Sequence, residues 1–180
     1  MTAIAVALDK DSIILGTDSS VAYGDWIEMD YGPKIYQPAE NIWLAEAGWT
    51  QRIQVAERIA VELAEQGRAG HSITPFPRRL TDKLAEKFIK PEDEESDQTL
   101  QMEIILIYEA AAYFISKDAC LIPIKTYIAA GAGGPTCMGA LQVLYGQVPL
   151  QEAVRRAISA AIAHSPGCGG TPHTILVPRA

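Results

Sequence analysis

The chain has 180 residues, of which 48% are apolar and 21% charged, with a formal net charge of −7. This suits one globular domain over 1–180 and excludes both intrinsic disorder and a nucleic-acid surface, which wants a basic face. No apolar run approaches the roughly 18 residues of a membrane span, and no basic stretch precedes an apolar core of signal type, so a cytoplasmic protein with no membrane partner is expected.

Ala3 to Leu8 and Ser12 to Thr17 read as two β-runs around the polar turn Asp9-Lys10-Asp11, a hairpin that begins directly behind Met1 and Thr2. Ser19 to Ala22 extends the second run past a bend. Tyr23 to Pro33 mixes Gly, Asp, Pro and aromatics and is expected as an irregular loop ending at Lys34. Asn41 to Ala47 is a short strand closed by Gly48. From Thr50 to Gln66, Ile53, Ala56, Ile59, Ala60 and Leu63 recur at three- and four-residue intervals, the stripe of an amphipathic helix, with Gly67 and Gly70 to end it. A second helix is expected over Pro77 to Lys90, entered through Thr74-Pro75.

The acidic run Lys90 to Gln98 has no apolar residue and reads as a solvated loop. Leu100 to Tyr108 and Ala111 to Ser116 form a second strand pair, and Ala119 to Ile124 and Thr126 to Ala130 are further short strands. The segment Gly131-Ala132-Gly133-Gly134 leads into a helix over Pro135 to Tyr145, with proline in its first turn. Leu150 to His164 is an alanine-rich helix, and a Gly-rich turn precedes a last strand. Two hairpin-rich sheets with helices on their outer faces bury all these stripes, which predicts an α+β fold, a four-layer α/β/β/α sandwich. Cys120, Cys137 and Cys168 lack CxxC spacing, and with only His71, His164 and His173 available neither a disulfide framework, a zinc knuckle nor a histidine metal site is expected.

Removal of Met1 would leave Thr2 with a free amine and a hydroxyl on adjacent carbons, a nucleophile and a base in one residue. Such a pair needs a nearby ammonium, a carboxylate to hold that ammonium, and an N–H donor for the oxyanion. Asp18 follows Thr2 by sixteen residues, Lys34 follows Asp18 by sixteen, and Gly48 ends a short strand. With TAIAVAL, GTDSS, PKI, EAGWT and GAGG in this order, the chain resembles the proteasome β-subunit family, most closely its HslV-type peptidases, which are N-terminal nucleophile (Ntn) hydrolases.

The resemblance implies a threonine-type endopeptidase in which Thr2 is nucleophile and base, Lys34 the ammonium that eases proton loss, Asp18 its partner and Gly48 the oxyanion donor. It implies homo-oligomeric stacked rings that cleave unfolded polypeptides, with an ATP-dependent unfoldase as partner by analogy. The nucleophile-supporting loop would be Ala132 and Gly133, and Ala132 stands where the family has a serine, which removes one side-chain hydrogen bond. Val21, Gly32, Tyr36, Glu46, Thr50 and Gln54 fall at the positions that surround the residue before the scissile bond. Among them Glu46 predicts a preference for Lys or Arg, unless Arg52 or a neighbouring subunit already pairs it. No cofactor is required; the backbone carbonyls of Ser165, Cys168 and Thr171 match a cation-binding spacing that admits a structural Na+ or Mg2+. Two other readings stay open, a catalytically silent ring subunit of the same fold and an Ntn amidase for a small amide.

Overall fold

A computed structural model describes residues 1–23, 26–68, 74–90 and 99–179; for residues 22, 23, 26–29 and 68 it describes the backbone alone. Gly70, His71 and nearly all of the acidic run up to Gln98 lie outside the described residues.

The chain opens with β1 (Ile4–Leu8) and β2 (Ser12–Thr17), the expected hairpin, paired from Ile4 with Thr17 to Leu8 with Ile13. Together with β10 (Tyr127–Ala130) and β11 (His173–Pro178) they form a four-stranded antiparallel sheet in the order β10-β1-β2-β11. The second sheet has five strands in the order β5-β6-β7-β8-β9: β5 (Ile35–Ala39), β6 (Ile42–Gly48), β7 (Met102–Tyr108), β8 (Ala111–Ile115) and β9 (Leu121–Pro123).

Side-chain alternation explains why β1 is buried along its whole length. Ile4, Val6 and Leu8 face the other sheet and meet Ala45, Ala47, Ile105 and Ile107. Ala3, Ala5 and Ala7 face the opposite way, against α3 (Gly134–Leu144) and α4 (Leu150–His164). On the far side of the second sheet, Leu44, Ile104 and Leu106 meet Ala56, Ala60, Leu80 and Leu84 of α1 (Thr50–Arg68) and α2 (Phe76–Phe88). The layers are therefore helix pair, sheet, sheet, helix pair, the sandwich expected from the sequence.

Three local expectations are corrected. Tyr23 to Pro33 is not all loop: β4 (Trp26–Asp30) pairs with β3 (Ser20–Tyr23) in a separate two-stranded ribbon, so the segment after Asp18 leaves the first sheet rather than extending β2. Lys34 is followed at once by β5, a strand the sequence pattern did not suggest. Helix α1 runs through Gly67 to Arg68, because one glycine in a helix costs only about 1 kcal/mol relative to alanine and the helix is already anchored by its buried stripe.

Candidate active site

The β1–β2 pairing brings Thr17 opposite Ile4, and so places Asp18 beside Ala3 and Thr2. Two hydrogen bonds fix this corner: Asp18 N donates to Ala3 O at 3.2 Å, and Ala3 N donates to Asp18 Oδ1 at 3.0 Å. Asp18 is fully buried, and its other oxygen, Oδ2, accepts from Gly169 N at 3.2 Å and from Ser20 Oγ at 3.3 Å. The turn that carries Gly169 is held in return, since Gly169 O accepts from Ser19 N and Ser20 N.

Lys34 reaches this corner from the segment before β5. Its backbone N donates to Thr17 Oγ1 at 3.2 Å, and its Nζ lies 2.8 Å from Asp18 Oδ1, 3.2 Å from Thr2 Oγ1 and 3.0 Å from Met1 O. An ammonium has three donors, and here all three have an acceptor. The carboxylate has no exposed side-chain surface and the lysine 14%, so the pair is screened far less than a surface ion pair. The Thr2 hydroxyl thus sits against a cation that favours the alkoxide it would form.

The chain beyond β10 closes the other side. Gly133 N donates to Thr2 O at 3.2 Å. Gly131 has φ +78°, and a side chain there would overlap the Thr2 carbonyl and come within 2.9 Å of Ala47 Cβ, so only glycine fits. Ala132 is exposed and supplies no polar atom from its side chain. Gly48 ends β6 opposite Met102, where an added Cβ would lie 2.6 Å from that residue's Cβ, and Ala47 beside it touches the Gly131 loop.

Of the pocket positions, Tyr36 pairs with Leu44 on the face toward α1, the face that Glu46 shares by alternation. Val21 and Gly32 are half-buried, and Thr50 and Gln54 are exposed, one turn apart on α1. Glu46 is buried, and its Oε1 has no hydrogen-bond partner among the described residues. Burial, then the charge of Glu57, holds its carboxyl well above the usual range, and burial also raises Glu57. Arg52 does not neutralise it: its guanidinium donates to Thr99 O and Leu100 O and lies over the Phe88 ring. A cleft of about 510 Å³ lies elsewhere, at the Ile42 end of β6 between Leu63, Phe76 and Tyr108.

Ser165, Cys168 and Thr171 share the turn between α4 and β11. The Ser165 carbonyl already accepts from Cys168 N at 3.2 Å and keeps a second lone pair. No cluster of three His, Cys, Asp or Glu side chains suited to a metal occurs among the described residues. Thr17, Ser20 and Gly169 also support this corner; Thr17 and Ser20 lie within the GTDSS segment, whereas Gly169 reaches it through hydrogen bonds made only by the fold.

The profile of the proteasome subunit family matches residues 1–173. The chain belongs to the proteasome subunit family. Proteasome subunit beta 1 of Pyrobaculum calidifontis is 27% identical over 94% of this proteasome-family chain and 86% of its own length, and that of Pyrobaculum aerophilum 24% identical over 99% and 90%. Among solved structures, eukaryotic HslV from Trypanosoma brucei superposes with a TM-score of 0.77 at 14% identity, covering 98% of this chain and 99% of its own. Thiobacillus denitrificans BPH, also solved in complex with epoxomicin, superposes with a TM-score of 0.72 in that complex, at 14% identity and with both chains covered in full. These likenesses establish the Ntn-hydrolase sandwich for the proteasome-family chain described here.

Proposed function

We propose that this proteasome-family chain is a threonine-type peptidase subunit whose nucleophile is Thr2 once Met1 is removed. The observation that carries the reading is the single ammonium of Lys34 placed 3.2 Å from Thr2 Oγ1 and 2.8 Å from the buried carboxylate of Asp18. With Met1 gone, the Thr2 amine takes the proton of Oγ1, directly or through water, as Oγ1 bonds to the scissile carbonyl carbon. The Lys34 ammonium stabilises negative charge on Oγ1, and the Gly48 N–H takes the oxyanion. Collapse breaks the peptide C–N bond, the Thr2 ammonium returns the proton to the leaving amine, and water hydrolyses the ester.

The pocket assigned to Val21, Gly32, Tyr36, Glu46, Thr50 and Gln54 is proposed to take a basic side chain before the cut. A buried carboxyl with an oxygen unpaired among the described residues is well satisfied by the ammonium or guanidinium of a substrate. Stacked homo-oligomeric rings, unfolded polypeptide substrates, an ATP-dependent unfoldase and a cytoplasmic location complete the proposal. The carbonyls of Ser165, Cys168 and Thr171 are its cation site for Na+ or Mg2+, neutral hard donors that would leave the remaining positions to water.

One observation favours the silent-subunit reading. Ala132 gives the site no side-chain hydroxyl to hold the Thr2 amine. Intact mass together with turnover of fluorogenic peptides decides between them. A peptidase has lost Met1, cleaves after Arg faster than after Leu, and is inactive as Thr2→Ala; a trimmed protein with no turnover is a silent subunit.

A further inference from the structure

The loop Gly131–Gly134 packs closely, Gly131 against Thr2 and Ala47 and Gly133 against Ala3 and Ala161, but three of its four residues lack a side chain that could hold it there by a polar contact, and Ala132 is exposed. Glycine-rich backbone is the most conformationally free, yet this loop must hold the Gly133 N–H on the Thr2 carbonyl. The charged side chain that reaches it is Glu103. Glu103 lies on β7 directly across from Ala47 of β6, and alternation turns it, with Ile105 and Ile107, into the space between the two sheets. There, half-buried, its Oε2 accepts from Gly131 N at 2.8 Å. The next bonds follow in series: Gly134 N donates to Gly131 O at 2.9 Å, and Gly133 N to Thr2 O at 3.2 Å.

We infer that Glu103 is a positioning residue for Thr2, its carboxylate clamping the Gly131 N–H and through that loop fixing the backbone of the nucleophile. A hydrogen bond to an ionised acceptor is roughly twice as strong as a neutral one, so one such bond is well suited to restrain a loop of this composition. It also stands where Ala132 leaves the loop without a side-chain hydrogen bond to the terminus. The catalytic consequence rests on the peptidase reading; the clamp itself does not.

The test compares Glu103→Gln, which keeps an oxygen acceptor at the same reach, with Glu103→Met, which fills the same space and accepts no comparable bond. An epoxyketone probe reports the maximal rate of Thr2 labelling and its half-saturating concentration, and hydrogen–deuterium exchange reports the peptide covering 128–137. Gln is expected within about threefold of wild type. Met is expected to lower the maximal labelling rate about 10- to 100-fold, the scale of a misplaced reacting group, with the half-saturating concentration nearly unchanged. Exchange at the loop amides rises in Met and not in Gln. Equal losses in Gln and Met, full labelling in Met, or unchanged exchange in Met would overturn the inference. A wild-type protein that is never labelled at Thr2 would instead refute the peptidase reading, while the exchange comparison would still decide whether Glu103 holds the loop.

Discussion

Replacing Asp18 with Asn keeps the shape of the side chain and removes its charge. Asp18 accepts four hydrogen bonds, from Lys34 Nζ and Ala3 N on one oxygen and from Ser20 Oγ and Gly169 N on the other. In the better amide orientation the Asn oxygen keeps Lys34 and Ala3, the Ser20 hydroxyl turns to accept, and Gly169 N–H is left facing another donor. The ammonium of Lys34, mostly shielded from water, also loses its counter-charge. A buried pair broken on one side costs about 3–5 kcal/mol, and the orphaned N–H falls within that figure. For a chain of this size, about 4 kcal/mol lowers Tm by roughly 8–16 °C. Thermal unfolding of Asp18→Asn, Lys34→Met and the double variant isolates the pair, with a coupling of about 1.5–3 kcal/mol expected from a charge-assisted bond. A Tm drop under about 3 °C with no coupling would refute this account of the corner.

Glu46→Gln should be more stable than wild type, and increasingly so with pH. The folded carboxyl binds its proton more tightly than the unfolded one, so stability is complete below the ordinary value of 4.5 and falls as pH rises toward the raised folded value. The slope is at most about 1.4 kcal/mol per pH unit, and parallel Tm–pH curves for the two proteins would contradict it. The same variant should lose any preference for Arg over Leu before the cut, measured as a ratio of kcat/KM. Gly131→Ala forces a left-handed residue against Thr2 and Ala47. It should cost about 2–5 kcal/mol in chemical denaturation and abolish labelling of Thr2; a folded, fully labelled variant would show that the loop is not packed on Thr2.

The layers and the opening hairpin were legible because each carries a period: alternation in β1 and β2, and three- and four-residue spacing in α1. The meeting of Thr2, Asp18 and Lys34 was legible through their order along the chain. What the sequence hid has identifiable causes. β5 is an edge strand containing Pro38, where its register with β6 shifts, and proline is tolerated only at such places. β4 belongs to a two-stranded ribbon with its own register shift, which leaves little regular pattern to read. Thr17 and Glu103 work by accepting main-chain N–H groups of residues 17 and 28 positions away. Those contacts depend on sheet register and loop path, which no local pattern encodes. Arg52, a candidate partner for Glu46 on paper, is drawn off by the carbonyls of Thr99 and Leu100.

Peptide mapping of protein treated with an epoxyketone tests the central claim most directly, because that warhead needs a hydroxyl and a free amine on the same residue. The account predicts a Met1-less terminal peptide carrying one adduct on Thr2, closed through both its nitrogen and Oγ1, and no adduct in Lys34→Ala. An adduct on any other residue, or a protein that turns over peptides with Met1 still attached, would contradict it.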